Sequence, residues 1–221
     1  MRLNLLMIIA PTFLERKYLE MLEKYKVKFK AITYGKGTAS SSLLEYFGLN
    51  EVGKIVIFAV LPNILGKHIL GYTKSKMKIN EPGNGIAFTI PLSSATKYME
   101  DFYKDNDMED FEMDEEAKHL IITIANEGFA EMIMNAAKKV GATGGTTING
   151  RGLETEKIIK FLGISIEPEK DIVMILTDED KKASIMNEIV AACGIKTPGR
   201  GICFSIPVEN VAGLMDEIEK K

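Results

Sequence analysis

The chain has 221 residues, of which 46% are hydrophobic, and a net charge of −3. The composition is ordinary for a globular protein. It excludes a broad basic field for holding nucleic acid and an apolar run long enough for a membrane-spanning helix.

The first predicted element is a strand over Leu3–Ile9. Its apolar start resembles a leader, but the same place in the second half, Leu120 to Ala125, is as apolar and lies inside the chain. It therefore reads as a strand, and the expected compartment is the cytoplasm. A helix follows over Thr12–Tyr25, then strands over Phe29–Gly35 and Lys54–Leu61, a helix over Asn63–Met77, a strand over Gly85–Pro91 and a helix from Ser93. Helix starts are marked by Thr12 after Pro11 and Asn63 after Pro62. The second half repeats the series with strands over His119–Ala125, Gly144–Gly150, Lys170–Thr177 and Gly201–Pro207. Its helices run over Glu127–Val140 and Asp178–Ala192, the latter stopped by Gly194, with a last one from Glu209.

The two halves are copies. Gly35, Gly37 and Gly48 recur 115 residues on, at Gly150, Gly152 and Gly163. Lys54, Pro82, Gly83, Gly85, Phe88 and Pro91 recur 116 residues on, at Lys170, Pro198, Gly199, Gly201, Phe204 and Pro207. A period this long is a duplicated domain rather than a solenoid. The boundaries are residues 1–104, a strongly acidic linker at 105–117, and residues 118–221. The linker reads as a solvated tether or as an acidic docking segment anchored by Phe111 and Met113.

The order βαββαβ in each half predicts an α+β protein of two tandem ferredoxin-like domains, each a four-stranded antiparallel sheet with helices on one face. The strands are apolar on both faces, as in Val56–Val60 and Ile172–Leu176. A sheet with one wet face alternates, so the second face is expected to be buried by the sister domain or by other subunits. Cys193 and Cys203 form no CxxC and read as buried free thiols. His68 and His119 have no ligand-like spacing, so no metal site is expected.

Two glycine motifs recur in both halves. Pro-Gly-x-Gly, at Gly83 and Gly85 and again at Gly199, Arg200 and Gly201, precedes the fourth strand. It reads as a tight turn or as a concavity of N–H groups for a phosphate. Gly35-Lys36-Gly37 and Gly150-Arg151-Gly152 follow the second strand, and read as turns or as part of a ligand rim. Neither motif opens a Rossmann or Walker unit. No Ser-His-Asp or Cys-His set stands out, so no catalytic residue and no enzymatic activity is expected.

In this combination the chain resembles the nitrogen-regulatory PII signalling proteins. The residues that carry the resemblance are G-[KR]-G after strand two, Gly199 to Val211 (GRGICFSIPVENV), its diverged copy Gly83 to Ala95, and the closing IPVENVAGL. The resemblance implies a non-enzymatic sensor of an adenine nucleotide (ATP, ADP or AMP) or another small metabolite, generally trimeric, that regulates a partner protein in nitrogen metabolism. It places the ligand loops at Gly35, Gly37, Gly83, Gly85, Gly150, Gly152, Gly199 and Gly201, and the neighbouring cations Lys36, Arg151 and Arg200 are candidates to supply charge where the family's own cations are missing. The family Lys after GDG is Ile86 and Ile202 here, the Asp is Asn84 and Arg200, and the Arg-Gln pair is Thr38-Ala39 and Leu153-Glu154. The family's mobile loop corresponds to Thr38–Gly53 and Leu153–Glu169. Here Leu43, Leu44 and Phe47, and Ile158, Ile159 and Leu162, recur at helical spacing, which predicts packed helical connectors capped by Ser40–Ser42 and Thr155. An ACT-type small-molecule sensor and a structural interaction module are the alternatives. ACT domains favour a glycine loop after strand one, where this chain has Pro11-Thr12-Phe13 and Asn126-Glu127-Gly128.

Overall fold

A computed structural model describes residues 2–38, 52–104, 117–152, 159–161, 164–166 and 169–213. The chain is a mixed α and β protein whose described residues divide into two compact units. Unit 1 is Met1–Tyr34, Gly53–Lys118 and Pro207–Lys221; unit 2 is Gly35–Val52 and His119–Ile206. The boundaries read from the repeat follow the duplication, whereas these units follow contacts.

Unit 1 takes its strands from β1 (Leu3–Pro11), β2 (Phe29–Gly37), β3 (Val52–Pro62), β4 (Ile86–Pro91) and the last strand, β10 (Ile202–Ala212). Hydrogen-bonded neighbours run β2-β3-β1-β4-β10. β1 is antiparallel to β3, with Leu3 opposite Pro62, and to β4, with Leu6 opposite Thr89. Three helices accompany them: α1 (Glu15–Lys24, after a 3₁₀ turn at Thr12–Leu14), α2 (Asn63–Lys76) and the short α3 (Lys97–Phe102). On α1 the buried Tyr18, Met21 and Leu22 follow the i, i+3, i+4 spacing of one helical face. They meet Leu6, Ile8, Ile55, Ile57, Leu61, Leu65 and Ile69 in a single core.

Unit 2 holds β5 (Lys118–Asn126), β6 (Thr146–Arg151), β9 (Glu169–Asp178), the helices α4 (Ala130–Lys139) and α5 (Glu179–Cys193), and the small pair β7 (Ile159–Phe161) and β8 (Ile164–Ile166). Its neighbours run β2-β6-β9-β5-β10. Its core gathers Ile121, Ile133, Ala137, Val173, Ile175, Ile185, Ile189 and Cys193, with Cys203 packed against it. α5 supplies Ile185, Ile189 and Cys193 at i, i+4, i+8, a straight stripe down one side. Both cysteines are free thiols, and burial pushes each of them up.

Each half was expected to form a sheet of four strands. Each unit has five in its order, because β2 and β10 run through both. The expectation of strands buried on both faces holds for unit 1. Leu6 and Ile8 face the helices' core, and their neighbours Met7 and Ile9 on the opposite face are buried too.

Two expected helices are corrected. No helix begins at Glu209: β10 runs on to Ala212, with Glu209 opposite Thr89 and Ala212 opposite Ala87. Val208, Asn210 and Ala212 are buried in alternation, so the period-two signal outweighs the helix reading. A bulge between Glu209 and Ala212, with Asn210 at φ 52°, lets the strand bend, and Asn tolerates that conformation better than most residues. In the second connector Ile159–Phe161 pairs antiparallel with Ile164–Ile166 instead of winding into a helix. Ile-Lys-Phe and Ile-Ser-Ile alternate at period two, which competes with the helical spacing of Ile158, Ile159 and Leu162. The expected helix at Ser40–Leu49 and the Ser40–Ser42 and Thr155 caps lie outside the described residues. The helix expected from Ser93 starts at Lys97. No described helix is long and apolar enough to cross a membrane.

Two outcomes test this packing. Ile8→Ala in unit 1 and Ile175→Ala in unit 2 each remove a fully buried side chain; each is expected to cost about 2–5 kcal/mol in urea melts. The Tyr18 hydroxyl is buried without a hydrogen-bond partner, and burial pushes its phenol up to about 12. Because the folded value exceeds the unfolded ~10, this contribution to stability is whole below pH ~10 and is lost as pH rises towards about 12. Tyr18→Phe is expected to remove that alkaline loss and to gain ~1 kcal/mol at neutral pH, measured by urea melts at both pH values.

Candidate functional site

The glycine motifs take two different forms. Gly35-Lys36-Gly37 makes no turn: β2 continues through it, with Lys36 opposite Thr147 and Gly37 opposite Thr146 of β6. A Cβ on Gly35 would lie 2.5 Å from the Thr147 carbonyl oxygen and 2.8 Å from Ile148. The residue is glycine because the two backbones approach closely. Thr38 continues the contact, its N–H donating to the Gly145 carbonyl at 2.9 Å. Gly150 and Arg151 likewise sit in β6, opposite Lys170 and Glu169, and Gly152 follows the strand. A Cβ on Gly150 would reach Ile172 Cδ1 at 3.0 Å. Reading Gly35–Gly37, Gly150 and Arg151 as turns is therefore corrected to strand.

The Pro-Gly-x-Gly segments are turns. In unit 1 Gly83 and Gly85 have φ of 85° and 109°. Gly83 has open space where a Cβ would stand, whereas a Cβ on Gly85 would be 2.2 Å from the Ile9 carbonyl oxygen. The Asn84 N–H donates to the Glu81 carbonyl, and its side-chain amide to the Lys78 carbonyl at 2.9 Å. The end of β10 lies against this loop. The Gly213 N–H donates to Asn80 Oδ1 at 2.9 Å, and a Cβ on Gly213 would be 2.2 Å from the Gly85 carbonyl oxygen.

In unit 2 the turn is built around the end of α5. The Gly201 N–H donates to the Cys193 carbonyl at 2.7 Å and the Arg200 N–H to the Thr197 carbonyl at 3.1 Å. Two N–H groups that would line a phosphate concavity are thus engaged inside the loop. Gly199 packs on Cys193 and Phe129. Arg200, at φ 46°, is exposed.

Three residues absent from the sequence-derived set hold this region together. The Asn126 N–H donates to the Gly199 carbonyl, and its side-chain amide donates to the Pro198 carbonyl, both at 2.9 Å. Asn126 Oδ1 accepts from Lys170 Nζ at 2.9 Å. Next to Lys170, buried Asp171 accepts from the Ala130 N–H at 2.9 Å, at the start of α4. A carboxylate there complements the helix dipole. The Glu127 N–H donates to the Glu169 carbonyl at 3.2 Å. So in unit 2 the structure brings together the end of β6 (Gly150, Arg151), the start of β9 (Glu169, Lys170), the end of β5 (Asn126) and the Pro198–Gly201 turn. The signal for Lys170 was present in the sequence as the repeat of Lys54; nothing local marked Asn126 or Asp171.

The copies have diverged at this place. Lys54 stands where Lys170 does, but Pro11 replaces Asn126 at the end of the first strand and Ile55 replaces Asp171. Burial pushes the Lys54 ammonium below the usual lysine range.

No family model matches this chain and no curated protein matches it. Among solved structures, an Arabidopsis thaliana PII bound to citrate is 19% identical over 42% of this chain and 76% of that one, with a TM-score of 0.32. B. subtilis GlnK is 17% identical over 41% of this chain and 84% of its own, also at 0.32. An unknown protein from Galdieria sulphuraria covers 93% of this chain and 98% of its own at 10% identity and a TM-score of 0.31.

The two glycines of the first turn separate conformation from contact. Gly83→Ala is expected to cost about 1–2 kcal/mol, the penalty of a left-handed residue. Gly85→Ala adds a collision with the β1 backbone and is expected to cost about 3 kcal/mol or more. Urea melts of the two variants measure the difference.

Proposed function

We propose that the chain is a PII-like regulatory sensor made of two ferredoxin-like βαββαβ domains. The reading is supported by the β2-β3-β1-β4 and β6-β9-β5-β10 neighbour orders, in which each half's second, third, first and fourth strands lie side by side. It is also supported by the sequence resemblance. The protein binds an adenine nucleotide (ATP, ADP or AMP) or another small anionic metabolite and passes the bound state to a partner protein, without catalysis. The setting is cytoplasmic, the assembly a homo-oligomer with a trimer favoured, and the pathway is nitrogen metabolism by resemblance.

The observation that carries the ligand assignment is the convergence in unit 2 of Lys170, the end of β6 and the Pro198–Gly201 turn, with the Arg200 side chain exposed beside them. Since the Arg200 and Gly201 N–H groups are engaged, the anion is held by side-chain cations more than by a backbone concavity. Those same engaged donors favour a second reading, a structural interaction module whose glycines serve close packing. An ACT-type sensor is the further alternative.

Thermal shift with ATP, ADP, AMP and 2-oxoglutarate distinguishes them. A ligand at a hundred times its dissociation constant is expected to stabilise the fold by about 2.7 kcal/mol. Arg200→Ala is expected to reduce that shift while leaving the ligand-free melt unchanged, because an exposed charge contributes little to folding. No shift with any of the nucleotides at millimolar concentration would remove the nucleotide reading and leave the structural one.

A further inference from the structure

The first repeat carries a run of cations that the second lacks. Lys24-Tyr25-Lys26-Val27-Lys28-Phe29-Lys30 joins α1 to β2 and has a lysine at every other position. Tyr25, Val27 and Phe29 pack against the core of unit 1, and all four lysines are left exposed. At an offset of 115 the second repeat reads Lys139-Val140-Gly141-Ala142-Thr143-Gly144-Gly145, which keeps one lysine of the four. Both copies connect a helix to a strand here, α1 to β2 and α4 to β6, so the connection itself does not require the lysines.

Aromatic rings lie beside these cations. Lys24 Nζ sits 5.3 Å from the centre of the Tyr72 ring on α2. Lys28 Nζ sits over two rings of α3, 4.7 Å from the centre of Phe102 and 5.4 Å from that of Tyr98, and donates to the Tyr98 hydroxyl at 3.0 Å. Phe29 meets both rings edge to face, which ties α3 to the start of β2. Even so, Tyr98 is 62% and Phe102 41% exposed. Lys30 Nζ donates to the Val27 carbonyl at 2.8 Å. The copies differ in the rings as well: Glu188 stands in the second repeat where Tyr72 stands in the first.

The surface is cationic with two exposed aromatic side chains beside it, and it suits an anion that brings apolar groups. A single-stranded nucleic acid would stack its bases on the rings, but Lys28 already sits over Tyr98 and Phe102. A layer of anionic lipid headgroups would be drawn by the lysines, yet it would also meet the exposed carboxylates of Glu23, next to Lys24, and of Glu100 and Asp101, close to Phe102. An extended peptide is narrow enough to pass between those carboxylates. Its like-facing side chains recur about every 7 Å, as lysines two residues apart do in extended chain. We propose that Lys24, Lys26, Lys28 and Lys30, with Tyr98 and Phe102, dock an extended acidic segment of a partner protein. Its carboxylates pair with the lysines, and an apolar side chain between them lies on the exposed rings. This names the partner's chemistry within the sensor reading, but the surface itself needs no bound ligand.

The probe is a fluorescein-labelled peptide, Glu-Leu-Glu-Phe-Glu-Leu-Glu, titrated into the full chain without nucleotide and followed by anisotropy. Wild type is expected to bind it saturably and less tightly in high salt, and to bind a peptide with Lys in place of Glu much more weakly. The double variant Lys26→Asn with Lys28→Gln, and the single variant Tyr98→Ser, each with a wild-type-like urea melt, are expected to weaken binding about tenfold. Lys139→Gln in the second repeat is expected to leave it unchanged. Undiminished binding by the double variant and by Tyr98→Ser, or an equal loss with Lys139→Gln, overturns the proposal. So does tighter binding to vesicles containing phosphatidylserine, or to a labelled oligouridine, that the double variant abolishes, since the occupant is then a lipid surface or a nucleic acid. A tenfold gain in peptide affinity when the carboxylates of residues 105–117 are replaced by amides also overturns it, because the occupant is then the chain's own acidic segment. No nucleotide is present, so failure here leaves the ligand reading standing, and a failed nucleotide thermal shift leaves this surface standing.

Discussion

One eleven-residue strand, Ile202–Ala212, is the piece on which both units depend. Its first part completes the order of unit 2 beside β5, and its second part borders β4 in unit 1. Within unit 1 it carries a bulge with Asn210 in a left-handed conformation. The Asn210 side-chain amide donates to Thr89 Oγ1 at 2.9 Å, and the Thr89 hydroxyl donates in turn to the Glu209 carbonyl at 3.1 Å. The strand's far end is admitted only because Gly213 and Gly85 meet without side chains. Buried polar groups are costly when unpaired, so this small network also sets where β10 stops sliding along β4.

The glycines share that physical role more than a chemical one. Gly35, Gly85, Gly201 and Gly213 each stand where a Cβ would strike a backbone carbonyl at 2.2 to 2.5 Å. Such positions are places where two chain segments must nearly touch. A ligand loop also needs glycine, and so the same residue type answers to two different demands. The two demands are told apart by hydrogen bonds. In the Thr197–Gly201 turn the N–H groups of Arg200 and Gly201 point into the protein's own carbonyls, while the Arg200 side chain stays exposed.

Duplication has left the two copies unequal at the same address. Unit 2 holds its lysine with Asn126 and caps the start of α4 with Asp171, whereas unit 1 has Pro11 and Ile55 there and a lysine whose ammonium is depressed by burial. Unit 1 in turn has its fourth strand covered, where unit 2 leaves Ile202 and Phe204 exposed.

By itself the sequence determined the duplication, the order of strands and helices within each half, and the apolar stripes that make each core. Those are local or periodic properties: Tyr18, Met21 and Leu22 share a helical face wherever the helix goes, and the repeat of Gly83–Phe88 at Gly199–Phe204 needs no folded partner to be seen. Only the tertiary structure decided that Gly35–Gly37 is strand, that Glu209 continues a strand, and that Asn126 and Asp171 hold the turn and the helix of unit 2. Each of these rests on a neighbour distant in sequence: Thr147 for Gly35, Thr89 for Glu209, Pro198 for Asn126, Ala130 for Asp171. A glycine pair or a short polar side chain suits several local conformations about equally, so the choice passes to the hydrogen bond or close approach that folding alone supplies.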